Sequence, residues 1–289
     1  MYSNRYARSI VSVAAFALGV ARPVTAAAQP VGTDSLLPRD TSLHVETLPN
    51  GMRIFLRHSV VPANRVELRL VVAAGSAYED EDQRGLAHLV EHLAFAGTTH
   101  FPNRQLIPVF GRLGMRFGND VNAETLYDAT VYSLSVAADS ADVATALTII
   151  GDWAHGVTFD PSVIDRERSI VQDELRMRFG GGLPYTSRMD SVMYAGSPYA
   201  ARLPGGDSAI VASAPVATIR RFYQDWYRPE RMSVVVVGDV DVERMERLLQ
   251  QTVGAISPSP TPARRPPVLD IPAAGRARAA IVRDAPLED

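Results

Sequence analysis

The chain has 289 residues, 46% of them hydrophobic, enough to bury a sizeable core as one large domain or two small ones. Its 29 basic residues are all arginine and stand against 32 acidic ones; without the first 28 residues, which hold Arg5, Arg8 and Arg22 and no acid, the net charge is -6. That balance argues against nucleic acid or an anionic membrane as partner, and the lack of cysteine excludes disulfides and thiolate metal sites, leaving histidine and carboxylate to hold any zinc.

Residues 1–28 read as a signal peptide: Arg5 and Arg8 give a positive start, Ile10 to Val20 an apolar run, and Ala26-Ala27-Ala28 a small-residue cleavage site. About eleven apolar residues fall short of the ~20 that span a bilayer. Export to the periplasm or medium is expected, with no stable membrane insertion after processing. Residues 29–40 are polar and read as a disordered mature N-terminus. Val45 to Leu56 alternates around Asn50-Gly51, a pair suited to the positive φ of a type I′ hairpin turn. Val66 to Ala73 predicts a further strand, and residues 83–95 a helix, with Leu86, Val90, Leu93 and Ala94 at helical spacing. Arg104 to Leu113 predicts a helix closed by Gly114, with Pro108 kinking it or delaying its start.

Thr130 to Ala137 alternates as a strand, and Ser140 to Trp153 predicts an apolar-faced helix. Pro161 opens a long helix to about Arg178, broken by the glycines at 180–182. Pro215 to Trp226 predicts a helix, the β-branched run Met232 to Gly238 a buried strand, and Val242 to Val253 a last helix. The prolines from Pro258 to Pro272 mark an extended linker over 256–275, and 276–289 read as the first strand of a truncated second domain. The arginines from 263 to 278 read as linker, not as a binding patch. No internal repeat is evident.

On the helix at 83–95, His88 and His92 are four residues apart, so both imidazoles project from one face and can meet a single ion. Glu91 lies nearly on that face, where it can approach a metal-activated water without being a ligand. A catalytic zinc needs a third protein ligand and an open position. The helix from Pro161 offers Asp165, Glu167, Asp173 and Glu174. Glu167 and Glu174, seven apart, share a face, while Asp173 points about 100° away. Two carboxylates in line suit one ligand and one partner that orients a histidine, and spacing does not say which is which. The competing reading is a solvated face on which Arg166, Arg168 and Arg176 pair with the acids. His44, His58, His100 and His155 have no partner at ligand spacing and read as surface or satisfied core positions.

These residues resemble the pitrilysin family of zinc peptidases, which carry His-x-x-Glu-His as an inverted zinc motif. Gly75-Ser76, Gly85 to His92 and Phe95-Ala96-Gly97-Thr98 resemble the family's first signature, and Arg166 to Leu175 its second. The resemblance implies that Glu174 is the third ligand beside His88 and His92, and that Glu167 is an accessory acid. Asn122-Ala123-Glu124-Thr125 resembles the substrate-binding edge strand, which makes Asn122 and Ala123 candidate substrate contacts. Phe222 to Pro229, followed by Val237 to Val240, resembles the closing part of the domain. Landmarks run in order from about 42 to 254, and details such as Gly118-Asn119-Asp120 and Tyr199 to Pro204 look most like the bacterial periplasmic branch.

The implied fold is α+β, a largely antiparallel sheet packed against helices in one pitrilysin-like peptidase domain over 41–255. The implied function is zinc-dependent endopeptidase action on peptides or unfolded polypeptides. One Zn2+ is expected, with Glu91 as catalytic base and a second pitrilysin-like half supplied by the same full-length chain or a partner subunit. The rival readings are a non-catalytic or weakly active peptide-binding subunit, and a zinc hydrolase that does not cut peptides.

Overall fold

The computed structural model describes residues 40–179, 183–272 and 279. The signal-peptide reading, the mature N-terminus up to 39, the glycine break and nearly all of the strand expected over 276–289 lie outside them. Alternating side chains put one apolar row on each strand, and six strands join in one sheet. They are β1 (His44–Thr47), β2 (Arg53–His58), β3 (Arg65–Val72), β4 (Val121–Thr125), β5 (Thr130–Ala137) and β6 (Met232–Gly238). The order is β1-β2-β6-β3-β5-β4; β2 and β6 run parallel and every other neighbouring pair runs antiparallel.

Eight helices accompany the sheet among the described residues: α1 (Leu86–Ala96), α2 (Leu106–Arg112), α3 (Ser140–His155), α4 (Pro161–Phe179), α5 (Leu183–Met193), α6 (Ser208–Ser213), α7 (Val216–Trp226) and α8 (Val242–Gln251). The α+β class and the mostly antiparallel sheet are as expected. Helices α1, α3 and α8 pack on strands of the sheet and α7 packs on α1. The core they close contains Ile54, Leu68, Leu70, Leu134, Val234 and Val236 with Trp153, Phe110, Phe222 and Trp226. Trp153 stacks on Tyr132, with ring centroids 5.0 Å apart, and its indole N–H donates to the Ala94 carbonyl at 3.0 Å, tying α3 to α1. Among the described residues no helix is long and apolar enough to cross a membrane.

Three local expectations are corrected. The β1–β2 hairpin forms, but its turn is not type I′, because only Gly51 has a left-handed backbone, with φ +91°. Asn50 instead spends its side chain on tertiary bonds, donating to the Val253 and Ile256 carbonyls at 2.8 and 3.1 Å and accepting from Met52 N–H at 3.1 Å. The valine-rich β6 lies inside the sheet but is buried on one face only: Met232, Val234 and Val236 point into the core, while Ser233, Val235 and Val237 stay partly exposed. The helix expected to end at Val253 stops at Gln251 and passes into a single 3-10 turn, Val253–Ala255. Helices α5 and α6 were not evident from periodicity.

The proline-rich tract carries no regular structure up to Pro272, and it runs against the domain surface. Arg264 bonds Asp80 and Asp225 at 2.9–3.0 Å and lies over the Trp226 ring, while Arg228 donates to the Thr261 carbonyl at 2.7 Å.

Candidate metal centre

Helix α1 is apolar almost all round, so it sits inside the domain with Leu86, Leu89, Val90, Leu93 and Ala94 fully buried. Its entry is fixed by a close backbone crossing. Gly85 has φ +97°, and a Cβ on Gly206 would lie 2.0 Å from the Gly85 Cα, so a side chain at Gly206 would break the contact. The backbone that carries the polar residues of this helix is therefore held by the packing of its apolar neighbours. His88 and His92 present their rings edge to face, with centroids 4.8 Å apart.

Helix α4 lies across α1 and turns Ile164, Val171 and Leu175 into the core. The same face carries Glu167 and Glu174. Glu174 Oε2 is 3.7 Å from His88 Nε2, and Glu174 Oε1 is 3.6 Å from His92 Nε2. One ligand-capable atom from each of His88, His92 and Glu174 lies within 4.8 Å of the others. These separations are long for hydrogen bonds, yet near the ~3.3–3.5 Å edge of a tetrahedron whose ligands lie 2.0–2.2 Å from a zinc ion. The donor set, two imidazoles and one carboxylate, is that of a zinc hydrolase site. The residues present fit the metal.

Glu167 is 4% exposed and bridges two groups. Its Oε2 lies 3.4 Å from His92 Nδ1, and its Oε1 accepts from Arg104 Nη1 at 2.6 Å. Burial by itself would lower the His92 pKa, but the surrounding carboxylates of Glu167, Glu174 and Glu91 outweigh it and raise the pKa to about 9. The pocket thus favours a cation: without metal it keeps a proton on His92, which a metal ion would displace. Asp165 and Asp173 point to solvent, Asp173 pairing with Arg176 at 2.9 Å. Arg168 binds the carbonyls of Val211, Ala212 and Ala214 rather than either glutamate. For Glu167 the solvated Glu/Arg face is therefore not the arrangement found, because its partners are His92 and Arg104.

Glu91 is 8% exposed, and its Oε2 accepts from Thr125 Oγ1 at 2.6 Å. Two adjoining clefts, about 660 and 410 Å³, share His88, Glu91, Asn122, Ala123 and Glu174 as lining. Asn122 and Ala123 lie on β4, which has a neighbour on one side only. The bonds from Ser135 N–H to Asp120 O and from Leu126 N–H to Ala129 O bracket β4, so by antiparallel alternation the Ala123 N–H and C=O point to the free edge. That N–H donates to Asn122 Oδ1 at 3.0 Å.

Sequence reasoning gave no role to Thr125 or Arg104. Thr125 belongs to the edge-strand stretch Asn122-Ala123-Glu124-Thr125, and its hydroxyl is the available signal. Arg104 offered none: it sits in a loop 63 residues before Glu167, with φ +62° next to Asn103 at +53°. Such left-handed backbone in non-glycine residues costs roughly 1–2 kcal/mol each and persists where surrounding contacts demand it.

The family model for insulinase, peptidase family M16, matches residues 54–178, and that for the peptidase M16 inactive domain matches 214–286. The probable zinc protease PqqL of Haemophilus influenzae is 39% identical over 223 residues, 77% of this chain and 24% of that protein. PqqL of Escherichia coli is 33% identical over 76% of this chain and 24% of that protein. The chain thus spans about a quarter of the length of these relatives. The crystal structure of the first half of the E. coli periplasmic protease PqqL superposes with a TM-score of 0.77 at 32% identity, covering 83% of this chain and 51% of that one. With the inverted His-x-x-Glu-His helix, the crossing acidic helix and these matches in agreement, the chain belongs to peptidase family M16.

Proposed function

We propose that this chain is the metal-holding half of an exported zinc-dependent endopeptidase that hydrolyses peptides or unfolded polypeptides. The observation that carries the reading is the convergence of His88, His92 and Glu174 from two helices in a cleft that also exposes Glu91 and the edge of β4. Those three side chains would hold one zinc, which acts when bound as a Lewis acid toward water and the peptide carbonyl. Glu91 removes a proton from the attacking water and delivers it to the leaving amine. Thr125 steadies one Glu91 oxygen during both transfers. Glu167 fixes the ring of His92 and is itself fixed by Arg104.

The substrate lies extended beside β4 as an added strand, so backbone bonds supply most of the affinity and sequence preference is loose. Asn122 must first release the Ala123 N–H, which makes its side chain a latch on the substrate edge. The domain over 41–255 works with a second half of the same family, carried by the same full-length chain or by a partner. Support comes from the quarter-length match to the curated relatives. The export signal read at 1–28 fits a relative described as periplasmic.

The test is cleavage of an unstructured peptide with and without a chelator, alongside metal analysis. Chelation is expected to stop cleavage and added zinc to restore it. Peptide that is bound but never cut, with zinc present, would instead favour the peptide-binding subunit. Arg104→Met is expected to weaken zinc binding about tenfold, by freeing Glu167 from the pose that orients His92, as read by competition with a chromophoric chelator.

A further inference from the structure

A second group of metal-ligating side chains stands at the opposite edge of the sheet. On the extended β1, His44 and Glu46 are two residues apart and share one side, and α8 brings Glu246 to that side. His44 Nε2 is 3.7 Å from Glu46 Oε2 and 3.1 Å from Glu246 Oε2, and one ligand atom from each of the three lies within 4.8 Å of the others. Sequence spacing gave His44 no partner, because Glu246 is 202 positions away and reaches it only through the packing of α8 near the β1–β2 edge.

One further detail sets this cluster apart from a hydrogen-bonded ion pair. His44 Nε2 is screened from solvent and, although close to Glu246, makes no hydrogen bond of acceptable geometry.

We propose that His44, Glu46 and Glu246 form a second divalent-cation site, for a borderline first-row ion such as zinc, that staples edge strand β1 to α8. The imidazole selects against calcium and magnesium, which take oxygen ligands. Five strand spacings separate β1 from β4, roughly 24 Å at ~4.8 Å each, so this ion would not touch the clefts around Glu91. With one imidazole and greater exposure, the site binds more weakly than the His88 cluster.

Zinc titration of the metal-free intact protein against a chromophoric chelator tests this, using wild type, H44A/E246Q and H88A/H92A. Wild type is expected to take up two equivalents, the second at least tenfold weaker, and each double variant one. H44A/E246Q should retain peptide cleavage. Zinc beyond the first equivalent should raise the melting temperature by a few degrees in wild type but not in H44A/E246Q. The single variant E246Q, which keeps the side-chain volume, guards against misfolding; it should weaken the second equivalent about tenfold with an unchanged circular dichroism spectrum. Equal zinc uptake by wild type and H44A/E246Q, or displacement of the second zinc by equimolar calcium, would overturn the proposal.

Discussion

Glu91→Gln is expected to leave zinc bound and to lower kcat for peptide cleavage by about 10³-fold, with KM little changed. The substitution preserves volume at a position that is 8% exposed, and the Gln carbonyl can still accept from Thr125 Oγ1, so the helix and its two histidines have no reason to move. What disappears is the group able to take up a proton. General acid–base assistance is worth roughly 10²–10⁴ in rate, so the loss corresponds to about 4 kcal/mol in the barrier. A drop confined to kcat is the mark of an interaction made only in the transition state. Metal analysis and steady-state kinetics on the same preparation decide the matter: a variant that keeps zinc and more than a tenth of kcat would remove Glu91 from its assigned role. Thr125→Val should cost far less, about tenfold, because it loosens the carboxylate without deleting it.

The second large effect is on stability. Glu79, 4% exposed, lies just ahead of α1, and its carboxyl accepts from Gly85 N–H at 3.0 Å and from Ala87 N–H at 2.8 Å, donors that the start of a helix leaves without intrahelical partners. Burial outweighs these bonds and the nearby Arg202 and Arg84 charges, pushing its pKa up to about 8 from 4.5. The folded protein therefore keeps a proton that the unfolded chain releases. The resulting stabilisation is fully present below about pH 4.5 and is lost as pH rises through about 8. At about 1.4 kcal/mol per pH unit, that span amounts to something on the order of 5 kcal/mol. His92, with its raised pKa, would bend the profile in the same direction, so the measurement uses zinc-saturated protein, in which that ring is deprotonated. Urea midpoints are expected to fall between pH 5 and pH 9 in wild type and to stay nearly level in Glu79→Gln, which remains neutral and keeps a carbonyl acceptor. Parallel profiles for the two proteins would mean that Glu79 is ionised in the fold across this range.

Some of this molecule is written in short stretches of chain. The i,i+4 histidines, the seven-residue spacing of Glu167 and Glu174 and the alternation of β3 and β5 are consequences of the 3.6- and 2-residue periods, which depend on neighbours alone. They were sufficient to mark the two helices and, with the family resemblance, to choose between Glu167 and Glu174 for the role of third ligand. Strand β6 shows the limit of that information: a run of valines is equally apolar whether one face or both are covered, and only the placement of the helices decides which.

The remaining features depend on distance in space between residues far apart in sequence. Local pattern fixed that α1 and α4 are helices and which faces they offer; it could not fix that they cross, because the crossing is set by the core around Val171, Leu89 and Trp153 and by the glycine contact at Gly85 and Gly206. Arg104 reaching Glu167, Thr125 reaching Glu91, Asn50 reaching Val253 and Glu246 reaching His44 are all long-range pairings of this kind. Each is a polar contact made because apolar packing has already brought two segments together, and periodicity within one segment carries no record of the other.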